Sequence, residues 1–160
     1  MSAPVSVIIP VLDDAGRIAP CLAALAEGAV EGLVAEVILA DGGSSDDIAD
    51  LADGVGARLV PAPRGRGPQL AAGAAAARGS WLLFLHADTV LAPGWPAVLR
   101  AHMERHPDRA GFARLAFDSA HPMARLTAGW ANLRARAFAL PYGDQGLLVA
   151  RGVHDAAGGH

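Results

Sequence analysis

The sequence predicts an α/β domain on a mostly parallel sheet flanked by helices. Three observations carry this reading. Short, largely apolar runs recur at Val5–Ile9, Glu36–Ala40 and Trp81–Leu85, the last without a polar break. Each gives way at once to a cluster of turn and polar residues. Helical patterns alternate with the runs. Continuous apolar runs of this length read as strands buried on both faces, and strand–helix alternation reads as βαβ units. In such sheets, ligands gather beyond the carboxyl ends of the strands.

Taken in order, VSVII (5–9) is a β-branched run closed by Pro10. Asp13 and Asp14 then offer a cap to a helix with Ile18, Leu22 and Leu25 on one face, ended by Gly28. EVILA (36–40) is the second strand. Asp41-Gly42-Gly43 follows as a tight turn, and Ser44, Ser45 and Asp46 supply N-cap types for a helix carrying Ile48 and Leu51. Arg58–Val60 is a short third strand. The loop PAPRGRGP (61–68) leads into the small-residue helix Gln69–Arg78, ended by Gly79. Trp81–Leu85 is the fourth strand, and it delivers His86, Ala87, Asp88 and Thr89 to its end. A helix over Pro93–Arg105 buries Val98 and Leu99, and Gly111–Phe117 is a further strand. Pro122–Leu140 is a long helical pattern. After the tight loop Pro141–Gly146, Leu147–Ala150 is the last strand and a helix starts near Gly152.

Bulk composition narrows the function classes. A chain of 160 residues with 52% hydrophobic residues suffices for one domain with a sizeable core. A net charge of −3, with scattered arginines, excludes a nucleic-acid partner drawn by phosphate attraction. The lone Cys21 makes no internal disulfide and reads as a small buried hydrophobe, which fits a reducing, cytoplasmic compartment. No basic leader is visible, and no apolar run reaches the roughly 18 residues a membrane span needs. Trp130 beside Arg125, Arg134 and Arg136 gives a weak second reading of that helix as a peripheral membrane face, against the stronger one of core packing. Oligomeric state is not legible.

The chemistry lies at the strand ends. Asp13, Asp41 and Asp88 follow the first, second and fourth strands, and so share one edge of a parallel sheet. Carboxylates there attract divalent cations or accept hydrogen bonds from ribose hydroxyls and base N–H groups. One or two carboxylates plus substrate phosphates is the usual way to hold Mg²⁺. Arg64 and Arg66, in a glycine-rich loop before a helix, suit a diphosphate. Neither GxxxxGK[ST] nor a GxGxxG after the first strand occurs, which argues against a P-loop NTPase or a classical dinucleotide fold. The competing structural roles are caps: Asp41 for the Gly-Gly turn, Asp14, Asp46 and Asp47 for helices, and Asp144 for an Asx turn with Gly146.

The ordered set VSVIIPVLDDAGRIAPCLAAL, VILADGGSSDD and GSWLLFLHADTVLAPGW resembles the family 2 nucleotide-sugar glycosyltransferases of GT-A, Rossmann-like fold. GRGPQLAAGAAAARG, FLHADT and PYGDQG look like the subgroup associated with arsenosugar biosynthesis. The resemblance runs from about Val5 to the end and implies one GT-A domain over 1–160, with a nucleotide-sugar-binding half at 1–92 and a partial acceptor-side half at 93–160. It implies that Pro10, Leu12 and Asp13 line the base pocket, and that Asp41 contacts base or ribose, with Gly42 where a second acid is usual. It matches Asp88 to the last carboxylate of the DxD motif, which holds Mn²⁺ or Mg²⁺ against the diphosphate. His86 replaces the first acid there. Imidazole ligates Mn²⁺ better than Mg²⁺, so His86 either tilts the metal choice or hydrogen-bonds a phosphate. Ala87 lies between them. Arg66 and Gln69 fall where the family's loop approaches the nucleotide, and Asp144 and Gln145 on the acceptor side. The family's general base comes from a Glu-Asp pair after the Gly-Gly matched at Gly158-Gly159. The chain stops at His160, so the expectation is a core cut short of its acceptor half, with Asp144 the weak candidate base.

The implied function is metal-assisted, inverting transfer of a sugar from a nucleotide-diphosphate donor to an unidentified acceptor hydroxyl. The alternatives are a non-catalytic nucleotide-binding or interaction module and, less well matched, a nucleotidyltransferase. The latter wants a glycine-rich basic loop directly after the first strand, where VLDDAGR is a poor fit.

Overall fold

The structure, a computed structural model, describes residues 3–114 and 146–160. Strands β1 (Val5–Val11), β2 (Val34–Asp41), β3 (Arg58–Pro61) and β4 (Trp81–Phe84) alternate with helices α1 (Ala19–Val30), α2 (Ile48–Gly54) and α3 (Arg66–Ala76). Then come α4 (Trp95–Arg105), β5 (Gly111–Phe112), β6 (Leu147–Ala150) and α5 (Arg151–Ala156). The strands form a six-stranded sheet in the order β3-β2-β1-β4-β6-β5. β1 to β4 are mutually parallel where they pair, and β6 runs antiparallel to both β4 and β5. The mixed sheet flanked by helices is the architecture expected.

The alternation of side chains along β1 splits the core in two. Val5, Val7, Ile9 and Val11 join one cluster with Ile18, Leu25 and Trp95. Ile8 faces the other way, into a cluster with Ile38, Ala74, Leu82 and Phe84. Both faces of the central strands are therefore covered, which is why their sequences read as largely apolar runs.

Several boundaries differ from expectation. Pro10 lies inside β1 instead of closing it. The Ile8 carbonyl accepts from Leu85 N, where the ladder with β4 ends. Pro10 faces that same side two residues on, past the last β4 pair, so its missing N–H costs no ladder bond. Gly28 does not stop α1; it is buried within the helix, which runs on to Val30. A Cβ at Gly28 would sit 2.4 Å from the Trp95 ring, and Trp95 donates its indole N–H to the Ala24 carbonyl at 3.0 Å. The glycine is a seat for Trp95, and a seat looks like a stop when the partner is distant in sequence.

Asp13 and Asp14 do not cap α1, whose first residues carry no side-chain cap. Asp46 accepts from Ile48 N at 3.3 Å, although the cap position of α2 itself is Asp47. On α4 the buried residues are Trp95 and Pro96, whereas Val98 is 68% exposed and Leu99 packs partly against the core. Of the strand expected over Gly111–Phe117, Gly111 and Phe112 are β5, Ala113 and Arg114 are not strand, and 115–117 lie outside the described residues. The helix expected over Pro122–Leu140, with its Trp130 face, and the loop residues Asp144 and Gln145 also lie outside them. Among the described residues, no helix is long and apolar enough to cross a membrane.

Candidate functional site

The carboxyl ends of β1 and β4 meet the amino end of α3 around an open cleft of about 360 Å³. Pro10, Leu12, Arg66, Gln69, His86, Ala87 and Asp88 line it, as the sequence leads one to expect. Val11, Asp14 and Arg17 line it as well. Asp13, Asp41, Gly42 and Arg64 do not. They share the sheet edge; Asp41 ends β2, and Asp13, Gly42 and Arg64 belong to the adjoining loops.

Those loops are tied to each other by side chains that sequence reasoning assigned to helix caps. Asp13 sits in the left-handed region (φ 55°), a conformation Asp tolerates better than most residues. Its carboxylate accepts from Ser45 N at 2.7 Å and Ser45 Oγ at 3.1 Å. The backbone bond from Ser45, then its hydroxyl, holds the Asp13 pKa below the ordinary value. Asp41 accepts from Ser44 N at 2.9 Å and Ser44 Oγ at 2.6 Å, so it caps the Gly-Gly turn. The Ser44 hydroxyl in turn accepts from Asp13 N at 3.0 Å. Asp46 accepts from Ala15 N at 2.7 Å. The β1–α1 and β2–α2 loops are thereby one rigid unit.

Gln69 reaches back from α3 to clip β1 to β2. Its buried Nε2 donates to Val11 O at 2.7 Å and Ala40 O at 2.8 Å. A Cβ at Gly42 would lie 3.1 Å from the Gln69 amide, so the residue standing where a second acid is usual leaves room for this clip. Gln69 forms cleft wall, but its amide nitrogen is committed to main chain. Asp14, buried, accepts from Leu12 N at 2.9 Å and from Arg17 Nε, closing a turn ahead of α1. Hydrogen bonding to Asp14 first, and attraction to Asp14 and Asp88 after it, raises the Arg17 pKa and keeps the guanidinium charged. The i, i+3 spacing of Asp14 and Arg17 in DDAGR was the available signal for this cation.

The opposite wall is built by the start of α3 and the end of β4. Gly65 precedes α3 at φ 131°, a value open to glycine, and so lets Arg66 enter the first turn. Arg66 Nη2 lies 3.1 Å from His86 Nδ1. The His86 carbonyl accepts from Thr89 N at 3.1 Å and from the Cys21 thiol at 3.6 Å, which fixes the backbone carrying the ring. Cys21 is buried, and desolvation, with Asp88 adding to it, pushes its thiol up to about 12. It is the inert small hydrophobe expected. Asp88 is exposed at the cleft mouth.

Among the described residues no group of three or more His, Cys, Asp and Glu gathers as a closed metal cage. The donor set suits instead a hard cation that takes one carboxylate from the protein and the rest of its shell from phosphate oxygens and water. Arg17, Arg66 and the His86 ring around Asp88 make the cleft suited to an anion that brings such a cation with it.

The model of Glycosyl transferase family 2 matches residues 6–146. No curated protein matches the chain. Among solved structures, glucosyl-3-phosphoglycerate synthase from Mycobacterium tuberculosis with Mn²⁺, UDP and glucosyl-3-phosphoglycerate is 21% identical, with a TM-score of 0.66 over 94% of this chain. The same enzyme with Mn²⁺, UDP-glucose and phosphoglyceric acid is 19% identical, TM-score 0.65. Its complex with Mg²⁺ and UDP is 21% identical, TM-score 0.66. In each case the present chain spans 57% of the length of the solved chain. At this identity the likeness shows the fold, which is the GT-A glycosyltransferase fold.

Proposed function

This chain belongs to glycosyl transferase family 2, and from that we propose that it transfers a hexose from a nucleotide-diphosphate donor to an acceptor hydroxyl with inversion. One observation carries the reading. Asp88, His86, Arg66 and the Pro10–Leu12 segment line one cleft at the carboxyl ends of β1 and β4. The base lies along Pro10, Leu12 and Asp13, and Asp41 contacts base or ribose. Arg66 and Arg17 attract the diphosphate, the former from the first turn of a helix, where the backbone dipole also favours negative charge.

Asp88 takes the place of the last carboxylate of a DxD motif and holds Mn²⁺ or Mg²⁺. That cation, when bound, neutralises charge on the departing diphosphate. The acceptor oxygen attacks the anomeric carbon from the face opposite the diphosphate. A C–O bond to the acceptor forms, the bond to the diphosphate oxygen breaks, and the nucleoside diphosphate leaves. The acceptor's proton passes to a carboxylate, for which Asp144 is our candidate, with Gln145 beside the acceptor. The arsenosugar-associated subgroup and a cytoplasmic location belong to the same reading, the first on the GRGPQLAAGAAAARG and PYGDQG segments, the second on the lone reduced Cys21.

The M. tuberculosis enzyme was crystallised with UDP-glucose, which makes that the first donor to try. Incubation with UDP-glucose and Mn²⁺ should release UDP, by slow hydrolysis without acceptor and faster with one. No UDP release, together with no binding of UDP or GDP under Mn²⁺, Mg²⁺ or chelator, would overturn the reading.

A further inference from the structure

We propose that His154 and His160 form a cation site of their own, which takes a transition-metal ion such as Zn²⁺ or Ni²⁺ through two imidazole nitrogens. Neither histidine lines the cleft at Asp88, and the site does not depend on the nucleotide reading. Helix α5 ends at Ala156. Gly158 and Gly159 follow at φ 93° and 73°, two left-handed positions in succession. Gly158 N donates to Asp155 O at 3.1 Å and Gly159 N to His154 O at 3.0 Å. The chain therefore doubles back on the helix it has just left. His160 returns so that its Nδ1 lies 3.0 Å from His154 Nε2.

That separation is the bite of a chelate. Two nitrogens each about 2.0–2.1 Å from one ion stand about 2.9–3.4 Å apart, for bond angles from octahedral to tetrahedral. Asp155 Oδ1 lies 3.0 Å from His154 Nδ1. An ionised carboxylate only accepts, so His154 Nδ1 carries the ring proton and Nε2 keeps its lone pair. A carboxylate behind a histidine in this way orients metal ligands and raises their basicity. In the free pair the His160 Nδ1–H donates to His154 Nε2. When an ion enters, that proton moves to the far nitrogen of His160, and both facing nitrogens offer lone pairs.

The rings are also held in place. Buried Phe84 of β4 stacks with His154 at 5.6 Å between centroids and lies 4.4 Å from the His160 ring. The His154 side chain is 10% exposed, whereas His160 is exposed, so the ion enters from the His160 side. Imidazole suits Zn²⁺, Ni²⁺ and Cu²⁺, while Mg²⁺ prefers oxygen donors. Among the described residues no group of three or more such side chains closes a cage. Water therefore fills the remaining positions, and the ion exchanges. Once bound, it ties the Gly158-Gly159 turn to α5 and, through the stacked rings, to β4.

The test is a calorimetric titration of Zn²⁺ into the full chain, free of any affinity tag, beside His154→Ala, His160→Ala, Asp155→Ala and Asp88→Ala. His102→Ala serves as the control for the other histidine pair, His102 and His106. The wild-type protein should bind one Zn²⁺ and melt at a higher temperature with it than without. His154→Ala and His160→Ala should each lose at least about 10-fold in affinity, and Asp155→Ala about 10-fold. His160→Ala should also lose the thermal gain; its ring is exposed, so the variant folds. Asp88→Ala and His102→Ala should keep wild-type Zn²⁺ affinity. No saturable Zn²⁺ binding to the wild-type protein, affinity in His160→Ala within about 3-fold of wild type, or a site lost in Asp88→Ala would overturn the proposal.

Discussion

The two edges of one sheet hold two assemblies of carboxylate and arginine, and they are finished differently. At the amino edge, Glu36 of β2 accepts from Ser6 Oγ at 2.7 Å, Arg78 N at 2.6 Å, the Arg78 guanidinium at 3.2 Å and Arg58 Nη1 at 3.2 Å. Arg58 also donates to the Ala76 carbonyl at the end of α3. The Glu36 side chain is 8% exposed. At the carboxyl edge, Asp88, Arg66 and Arg17 reach an open cleft. A carboxylate whose acceptor sites are filled from within fastens its surroundings. One that faces solvent at the mouth of a cleft is available to a ligand. The residue types are the same, and saturation separates their roles.

The sharpest way to break this contrast is to remove Glu36. Glu36→Ala leaves two arginines and the Ser6 hydroxyl without their acceptor, and should cost about 2–3 kcal/mol in urea unfolding. A neutral result would show that a filled network does not imply a supporting one. The same carboxylate gives the contrast a pH signature. Burial pushes the Glu36 pKa up, but hydrogen bonds from Ser6 and Arg78 and the charge of Arg58 outweigh it, and the net shift is downward from 4.5. A depressed folded-state pKa contributes stability above the unfolded value that is lost as pH falls through the folded value. Unfolding free energy should hold down to about pH 5 and decline below 4.5. Glu36→Gln should flatten that part of the decline.

A smaller effect probes the element joining the two edges. Helix α3 brings Arg66 and Gln69 to the cleft at its start and the Ala76 carbonyl to Arg58 at its end. It lies close on β1 because Gly73 has no Cβ; one there would fall 2.4 Å from Ile8 Cγ2. Gly73→Ala should cost about 1–2 kcal/mol by overpacking and weaken nucleotide binding with it, since the helix cannot lift at one end alone. Lost stability with binding intact would show that the cleft does not depend on the seating of α3.

The frame of the fold was legible because β1, β2, β4 and β6 carry apolar runs that only a sheet covered on both faces explains. The misreadings share a cause. Gly28 looks like a helix stop until Trp95 arrives from 67 residues away to lie on it. Asp13 and Asp14 look like caps until Ser45 and Arg17 claim them. Gln69 reads as a cleft residue and does line the cleft, but the clip its amide nitrogen makes between strands was not legible. Each is a local pattern with a local meaning, replaced by a partner distant in sequence. Asp88, His86 and Arg66 were readable because a polar cluster ending a buried strand, and a glycine-rich basic loop opening a helix, have few structural uses.

The central claim is that the open assembly binds and the filled one supports. Calorimetric titration of UDP in the presence of Mn²⁺, run on wild type, Asp88→Ala and Glu36→Gln at a temperature where all three are folded, tests it most directly. The account predicts at least about a 10-fold loss of affinity for Asp88→Ala with thermal stability unchanged, and wild-type affinity for Glu36→Gln with stability reduced. Wild-type UDP affinity in Asp88→Ala under saturating Mn²⁺ would contradict it.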